Sequence, residues 1–176
     1  MAFQLLDTIQ TPLPQVPLPM VTTMSVCSTC EISERLIKLF NKSFLAVAYQ
    51  LHLDGILSND EILQESLHPI MCVISNDDTC TFKIDESTLA SVVSIAFYCI
   101  SKWDGYDDKH ICMFIIEELC HHFWNITNEL DVNFKVFDIL KHIFSDIRIS
   151  DVYSIQAMKD EAARLHRTDI DFDAIS

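Results

Sequence analysis

The stretch Glu117-Glu118-Leu119-Cys120-His121-His122 places two carboxylates and two imidazoles within six residues. On a helix, residues three and four apart share a face. Glu117 and His121 can therefore address one ion, and Glu118 and His121 are spaced three apart. A carboxylate and an imidazole on one face suit a divalent metal such as zinc, iron or manganese. Glu118 would then be a third ligand, or the base of a metalloenzyme. On the same wheel Ile111, Ile115, Leu119, His122 and Ile126 form the core stripe, with His122 inside it. His110, Glu117, His121 and Asn128 form the other stripe. The competing reading is a solvated polar face on a mostly buried helix.

The Glu118-x-x-His121 spacing is that of di-metal carboxylate bundles. A second such pair is Glu65-x-x-His68, and Glu34 and Glu86 complete the order of a ferritin-like site. His68 beside Pro69 and Glu86 at a helix start both fit that site badly. Zincin peptidases use H-E-x-x-H, and here Glu117 stands where the first histidine would be. The motif is degenerate, so an acid–histidine site is the most it can form. Asp54-Gly55 and Glu61 have the separation of the second half of a calcium loop. Gln50 and His52 stand where early acidic ligands belong, so calcium is not expected. Cys27-x-x-Cys30 lacks a second ligand pair for zinc and reads as loose thiols.

The elements that must position these groups read as helices. The chain has 176 residues, 49% of them hydrophobic, and only two glycines, Gly55 and Gly105. Glycine-rich phosphate loops are excluded. Helices are expected over about 29–53, 58–68, 86–102, 108–129, 132–147 and 150–167, the first capped by Ser28 with Glu31. Alternation of Cys80, Phe82 and Ile84 after Asn76-Asp77-Asp78 predicts a β-hairpin over about 70–84. The expectation is a mainly α, all-alpha single-domain bundle of five to six helices with that one hairpin. Residues 1–24, with Pro12, Pro14, Pro17 and Pro19, read as a proline-rich arm. Residues 25–167 form the helical domain, and 168–176 an acidic tail.

The formal charge is −14. Such a surface repels phosphate backbones, so direct nucleic-acid binding is not expected, and a protein partner, a basic one included, is compatible. No run is apolar enough for a membrane span, and the N-terminus has no signal-peptide pattern. Seven cysteines fit a cytoplasmic protein with free thiols. Cys72, Cys80, Cys99, Cys112 and Cys120 read as small core residues. The functional expectation is a small acidic protein acting through protein contacts as a regulator, adaptor or inhibitor, with homo-oligomers allowed. The alternative is a metal-binding protein or metalloenzyme using Glu117, Glu118 and His121. No other cofactor is expected.

Overall fold

The computed structural model describes residues 4–5, 8–57, 69–78, 82–83 and 94–175. The strands are β1 (Gln4–Leu5), β2 (Met24–Ser28), β3 (Ile70–Ser75), β4 (Phe82–Lys83) and β5 (Ser94–Cys99). The α-helices are α1 (Glu34–Leu53), α2 (Asp108–Phe123), α3 (Glu129–Leu140) and α4 (Ile155–Arg164). Strands β2, β3 and β5 form a parallel sheet in that order, with Val26 beside Cys72 and Cys72 beside Ala96. Strands β1 and β4 pair antiparallel.

This mixed α/β architecture corrects the expected all-alpha bundle of five to six helices. Four α-helices and a three-stranded parallel sheet are present among the described residues. The expected hairpin over about 70–84 is also replaced. Ile70–Ser75 is the central strand of the parallel sheet, and Phe82–Lys83 pairs with Gln4–Leu5 instead. The expected helix over about 86–102 contains β5 where it is described.

The physical reason is burial on both faces. Every residue of β3 is buried, so its sequence, Ile-Met-Cys-Val-Ile-Ser, shows no alternation. A strand covered on both sides reads as a continuous apolar run, which periodicity cannot separate from a buried helix. In Ser94–Cys99, Ile95, Phe97 and Tyr98 are residues that favour pleated surfaces.

One face of the sheet meets the helices. Ile70, Cys72, Ile74, Ala96 and Tyr98 join Phe40, Phe44, Ile115 and Leu119 in the main core. Phe40 contacts Tyr98 edge-on at 5.3 Å and Trp103 at 5.8 Å between ring centres. The Tyr98 hydroxyl donates to the Ile115 carbonyl at 3.1 Å, joining β5 to α2. Arg35 pairs with Asp108 at 2.7 Å, tying the starts of α1 and α2.

Helix boundaries differ from expectation throughout: α3 spans Glu129–Leu140 where about 132–147 was expected, α4 spans Ile155–Arg164 where about 150–167 was expected, and two further differences bear on the site. Helix α1 starts at Glu34 behind the cap Ser33, whose side chain accepts from the Leu36 amide. Ser28 instead ends β2, and its hydroxyl donates to the carbonyls of Cys30 and Ile74. The expected helix 108–129 stops at Phe123, with Asn125 at φ +52°. Asparagine tolerates that left-handed conformation, and the chain turns back into α3. At the C-terminal end, Ile170, Phe172 and Ile175 pack against the buried cluster of Leu130, Ile149, Met158 and Ala162.

Phe40 is fully buried at the centre of the aromatic contacts. Phe40→Ala should lower unfolding free energy by about 3–5 kcal/mol, the range for emptying a buried phenylalanine site. Urea denaturation checks it. A loss below about 1 kcal/mol would contradict the central place given to this ring.

Candidate metal centre

Helix α2 carries Glu117, Glu118 and His121 in its last two turns, and buries Ile111, Ile115, Ile116 and Leu119. Its C-cap, Trp124, is held from outside the helix. The Trp124 indole donates to Asp54 at 2.7 Å, and Lys135 of α3 reaches the same carboxylate at 2.9 Å. Gln50 donates to the other oxygen at 2.8 Å. Asp54 thus ties the end of α1 to the α2–α3 turn. Burial works to raise its pKa, but the hydrogen bonds from Lys135, Trp124 and Gln50 outweigh this and hold it low.

The turn ends at Asn128, which caps α3 by accepting from the Asp131 amide at 2.9 Å. Asn128 also donates to the Asp131 carboxylate at 2.8 Å. Glu129 follows as the first residue of α3 and lies beside the last turns of α2. Ligand atoms of Glu117, His121 and Glu129 all fall within 4.8 Å of one another. His121 Nε2 and Glu129 Oε1 are 3.9 Å apart. His121 Nδ1 is 2.8 Å from the Ile126 carbonyl. A carbonyl can only accept, so Nδ1 donates to it, and Nε2 is turned toward the Glu129 carboxylate. This is the arrangement of a ligating histidine steadied by a backbone carbonyl.

Glu117 is half-buried and Glu129 is exposed. Burial raises the Glu117 pKa, the charges of Glu129 and Glu118 add to the rise, and His121 opposes it. The carboxylates of Glu117 and Glu129 crowd one place. A divalent ion there would remove the repulsion.

Glu117 and His121 are therefore brought together as their spacing implied. Glu118 is exposed and outside the three-residue cluster. Loss of solvent at its carboxyl raises its pKa, His121 opposes the rise and Glu129 adds to it. With Glu117, it lines a cleft of about 310 Å³ at the carboxyl ends of β3 and β5, together with Asp78, Cys99 and Lys102. His122 is half-buried, with its ring edge-on to Phe123 at 4.8 Å, so it is not a core residue.

Glu129 is the residue that sequence reasoning missed. Continuing one helix through 129 placed it on a different face from Glu117. The signal was Asn128 three residues before Asp131, a helix-start pattern inside the expected helix.

The other candidates separate. Glu34 sits in the first turn of α1, paired with Lys38 at 2.6 Å on the surface, far from a buried bundle site. Glu61, Glu65, His68 and Glu86 lie outside the described residues. Asp54, the calcium-loop candidate, is occupied by Trp124, Lys135 and Gln50. Cys27 belongs to β2 itself, and Cys30 is buried behind it. Cys72, Cys112 and Cys120 are buried core thiols. Burial pushes Cys72 up to about 12 and Cys112 to about 11. Cys99 is only half-buried, with its thiol 3.1 Å from Asp78. Cys80 lies outside the described residues.

Asp54→Ala should cost about 1–2 kcal/mol at pH 7, since three donors lose a charged acceptor in a partly exposed place. The sign of the pH dependence follows from a folded pKa below the unfolded one. The contribution is full above the ordinary carboxylate value and is lost as pH falls through the lower folded value. The gap in stability between wild type and variant should shrink below about pH 4. Thermal melts from pH 7 to 3 measure it, and a gap that widens on acidification would contradict the clamp.

No protein-family model, curated protein or solved structure matches this chain.

Proposed function

We propose that this protein binds one divalent transition-metal ion through Glu117, His121 and Glu129. The observation that carries the reading is the convergence of those three ligand atoms within 4.8 Å. Bonds of about 2.0–2.2 Å in a tetrahedral site put ligand atoms about 3.4 Å apart. Rotations of two glutamate side chains close the difference, and Glu129 is exposed enough to move. One imidazole with two carboxylates suits zinc, iron(II) or manganese(II) and is too hard for copper(I). The orientation of His121 Nε2 toward Glu129 and the crowding around Glu117 support the same reading. Glu118 stands beside the centre as a nearby acid or base.

Calorimetric titration of metal-stripped, untagged protein with zinc, manganese and iron(II) tests it. One ion should bind per chain. At a hundredfold excess over Kd, it should add about 2.7 kcal/mol to stability. Glu117→Gln and His121→Ala should each weaken binding at least tenfold, and Glu129→Gln likewise. Glu118→Gln should stay within about threefold of wild type. Absence of binding and of thermal stabilisation with all three metals would end the proposal.

A second reading, contact with another protein molecule, is favoured by one observation. Leu45, Tyr49 and Leu53 recur every four residues along α1 and are 64%, 51% and 55% exposed. Together with Ile143 they offer an apolar face beside Lys42. The net charge argues against nucleic acid and is compatible with a basic partner. Among the described residues, no helix is long and apolar enough to cross a membrane. The buried free thiols of Cys30, Cys72, Cys112 and Cys120 support a reducing compartment such as the cytoplasm. For contact between copies, sedimentation at raised salt is decisive, because salt screens the charge that would hold copies apart. Wild type should self-associate, and the double variant Leu45→Asp, Tyr49→Asp should not. Identical monomeric sedimentation of both would remove the face from consideration as a self-contact.

A further inference from the structure

Helix α1 carries three large exposed apolar residues, Leu45, Tyr49 and Leu53, on one stripe. Beside them lies a groove of about 530 Å³, lined also by Ala46 of the same helix and by His142 and Ile143 just after α3. Ala46 is buried, and its small side chain leaves the space open. The groove is built before anything enters it. The His142 ring stands edge-on to Tyr49 at 4.8 Å. Its Nε2 lies 2.8 Å from the Gln50 side-chain oxygen, while the Gln50 nitrogen donates to Asp54. An amide oxygen only accepts, so His142 donates to it and the two walls are joined.

The chain is acidic as a whole, but α1 is not. It carries Arg35, Lys38 and Lys42 against one acid, Glu34. Helices α2 and α3 each carry three acids to one Lys or Arg, and α4 carries two of each. Steps of three and four residues put Lys38 and Lys42 on the same side of α1 as Leu45, Tyr49 and Leu53. Arg35 is engaged by Asp108 at 2.7 Å and Lys38 by Glu34 at 2.6 Å. Lys42 is exposed and lines the groove, and among the described residues it has no ion-pair partner. Resting on the protein-contact reading above, we propose that this face receives an amphipathic helix of another protein, with its apolar stripe on Leu45, Tyr49 and Ile143 and a carboxylate at its end on Lys42.

Charge selects the partner. A docked helix meets the groove through anchors at three- and four-residue spacing, and the span from Lys42 to Leu53 matches about three of its turns. At the contact, salt confines charge effects to about 8 Å, so the partner meets the local cation and not the total charge of the chain. A basic helix would set its own cations against Lys42. A second copy complements the face less well. In a two-fold contact of α1 with its copy, centred on Leu45 and Tyr49, Lys42 comes opposite His52 and Leu53 and finds no carboxylate.

The test uses the full chain and a fluorescein-labelled helical peptide of about 15 residues, with leucines along one stripe and glutamates at one end. A twin peptide has lysines in place of the glutamates. Fluorescence anisotropy measures both, and binding lost in the double variant Leu45→Asp, Tyr49→Asp is binding at this face. There the glutamate peptide should bind wild type about tenfold more tightly than its twin. Lys42→Glu should reverse the preference, weakening the glutamate peptide about tenfold and tightening the twin. Because Lys42 is exposed, this variant should melt within about 2 °C of wild type. Equal binding of the two peptides at this face, or a preference for the lysine twin, would overturn the acidic partner and leave the protein-contact reading standing. If neither peptide binds and wild type self-associates at raised salt, a second copy is the occupant and the proposal falls. If neither binds and wild type stays monomeric, the protein-contact reading falls with it.

Discussion

Helix α2 ends at Phe123, and α3 begins at Glu129. Within the five residues between them the chain must reverse, cap both helix ends and keep Ile126 partly buried. It does so by putting Asn125 at φ +52° and by holding Trp124 and Lys135 on one carboxylate, that of Asp54. The reversal sets the distance from His121 to Glu129 and aims the Ile126 carbonyl at His121 Nδ1. Without it, Glu117 and His121 are an acid and a histidine on a helix surface. With it, they face a second carboxylate, and the imidazole is oriented by a hydrogen bond from its Nδ1 to a backbone carbonyl. One hydrogen-bonded aspartate on a different helix therefore supports the geometry of the whole candidate centre.

The sheet plays a different part. Cys72, Ile74, Ala96 and Tyr98 form the surface against which α1 and α2 lie. The Tyr98 hydroxyl bond to the Ile115 carbonyl fixes α2 along its length. Glu117 and Glu118 come two and three residues after Ile115, so their placement at the carboxyl ends of β3 and β5 follows from that anchor. Open parallel sheets favour ligand clefts outside those strand ends, and here the cleft and the metal cluster share Glu117.

Much of the site was legible in sequence, and much of the fold was not. The one-turn spacing of Glu117 and His121 needs only helical geometry, and the apolar stripe of Ile111, Ile115 and Leu119 shows which face they avoid. Strand β3 was partly legible as an apolar run, but its partners were not. Alternation in 80–84 suggested a neighbour close in sequence, whereas β3 pairs with Met24–Ser28 and Ser94–Cys99. Parallel pairing joins segments far apart in the chain, and no local pattern announces it. Glu129 was lost for a related reason. Apolar periodicity continues from α2 into α3, so the break is carried only by polar residues, Asn125 and Asn128, whose cap and left-handed roles are common in other settings.

Glu117 bears on why these residues occupy these places. Burial and the neighbouring charges of Glu129 and Glu118 push its carboxyl toward the neutral form. A chain selected for stability alone would do better with glutamine there. Native structures tolerate such local costs where the same groups serve a ligand. A cation would convert that cost by neutralising the carboxylates. That Glu117 and Glu129 converge on a histidine whose Nδ1 is held by the Ile126 carbonyl is the strongest argument that the cluster is more than a solvated polar face.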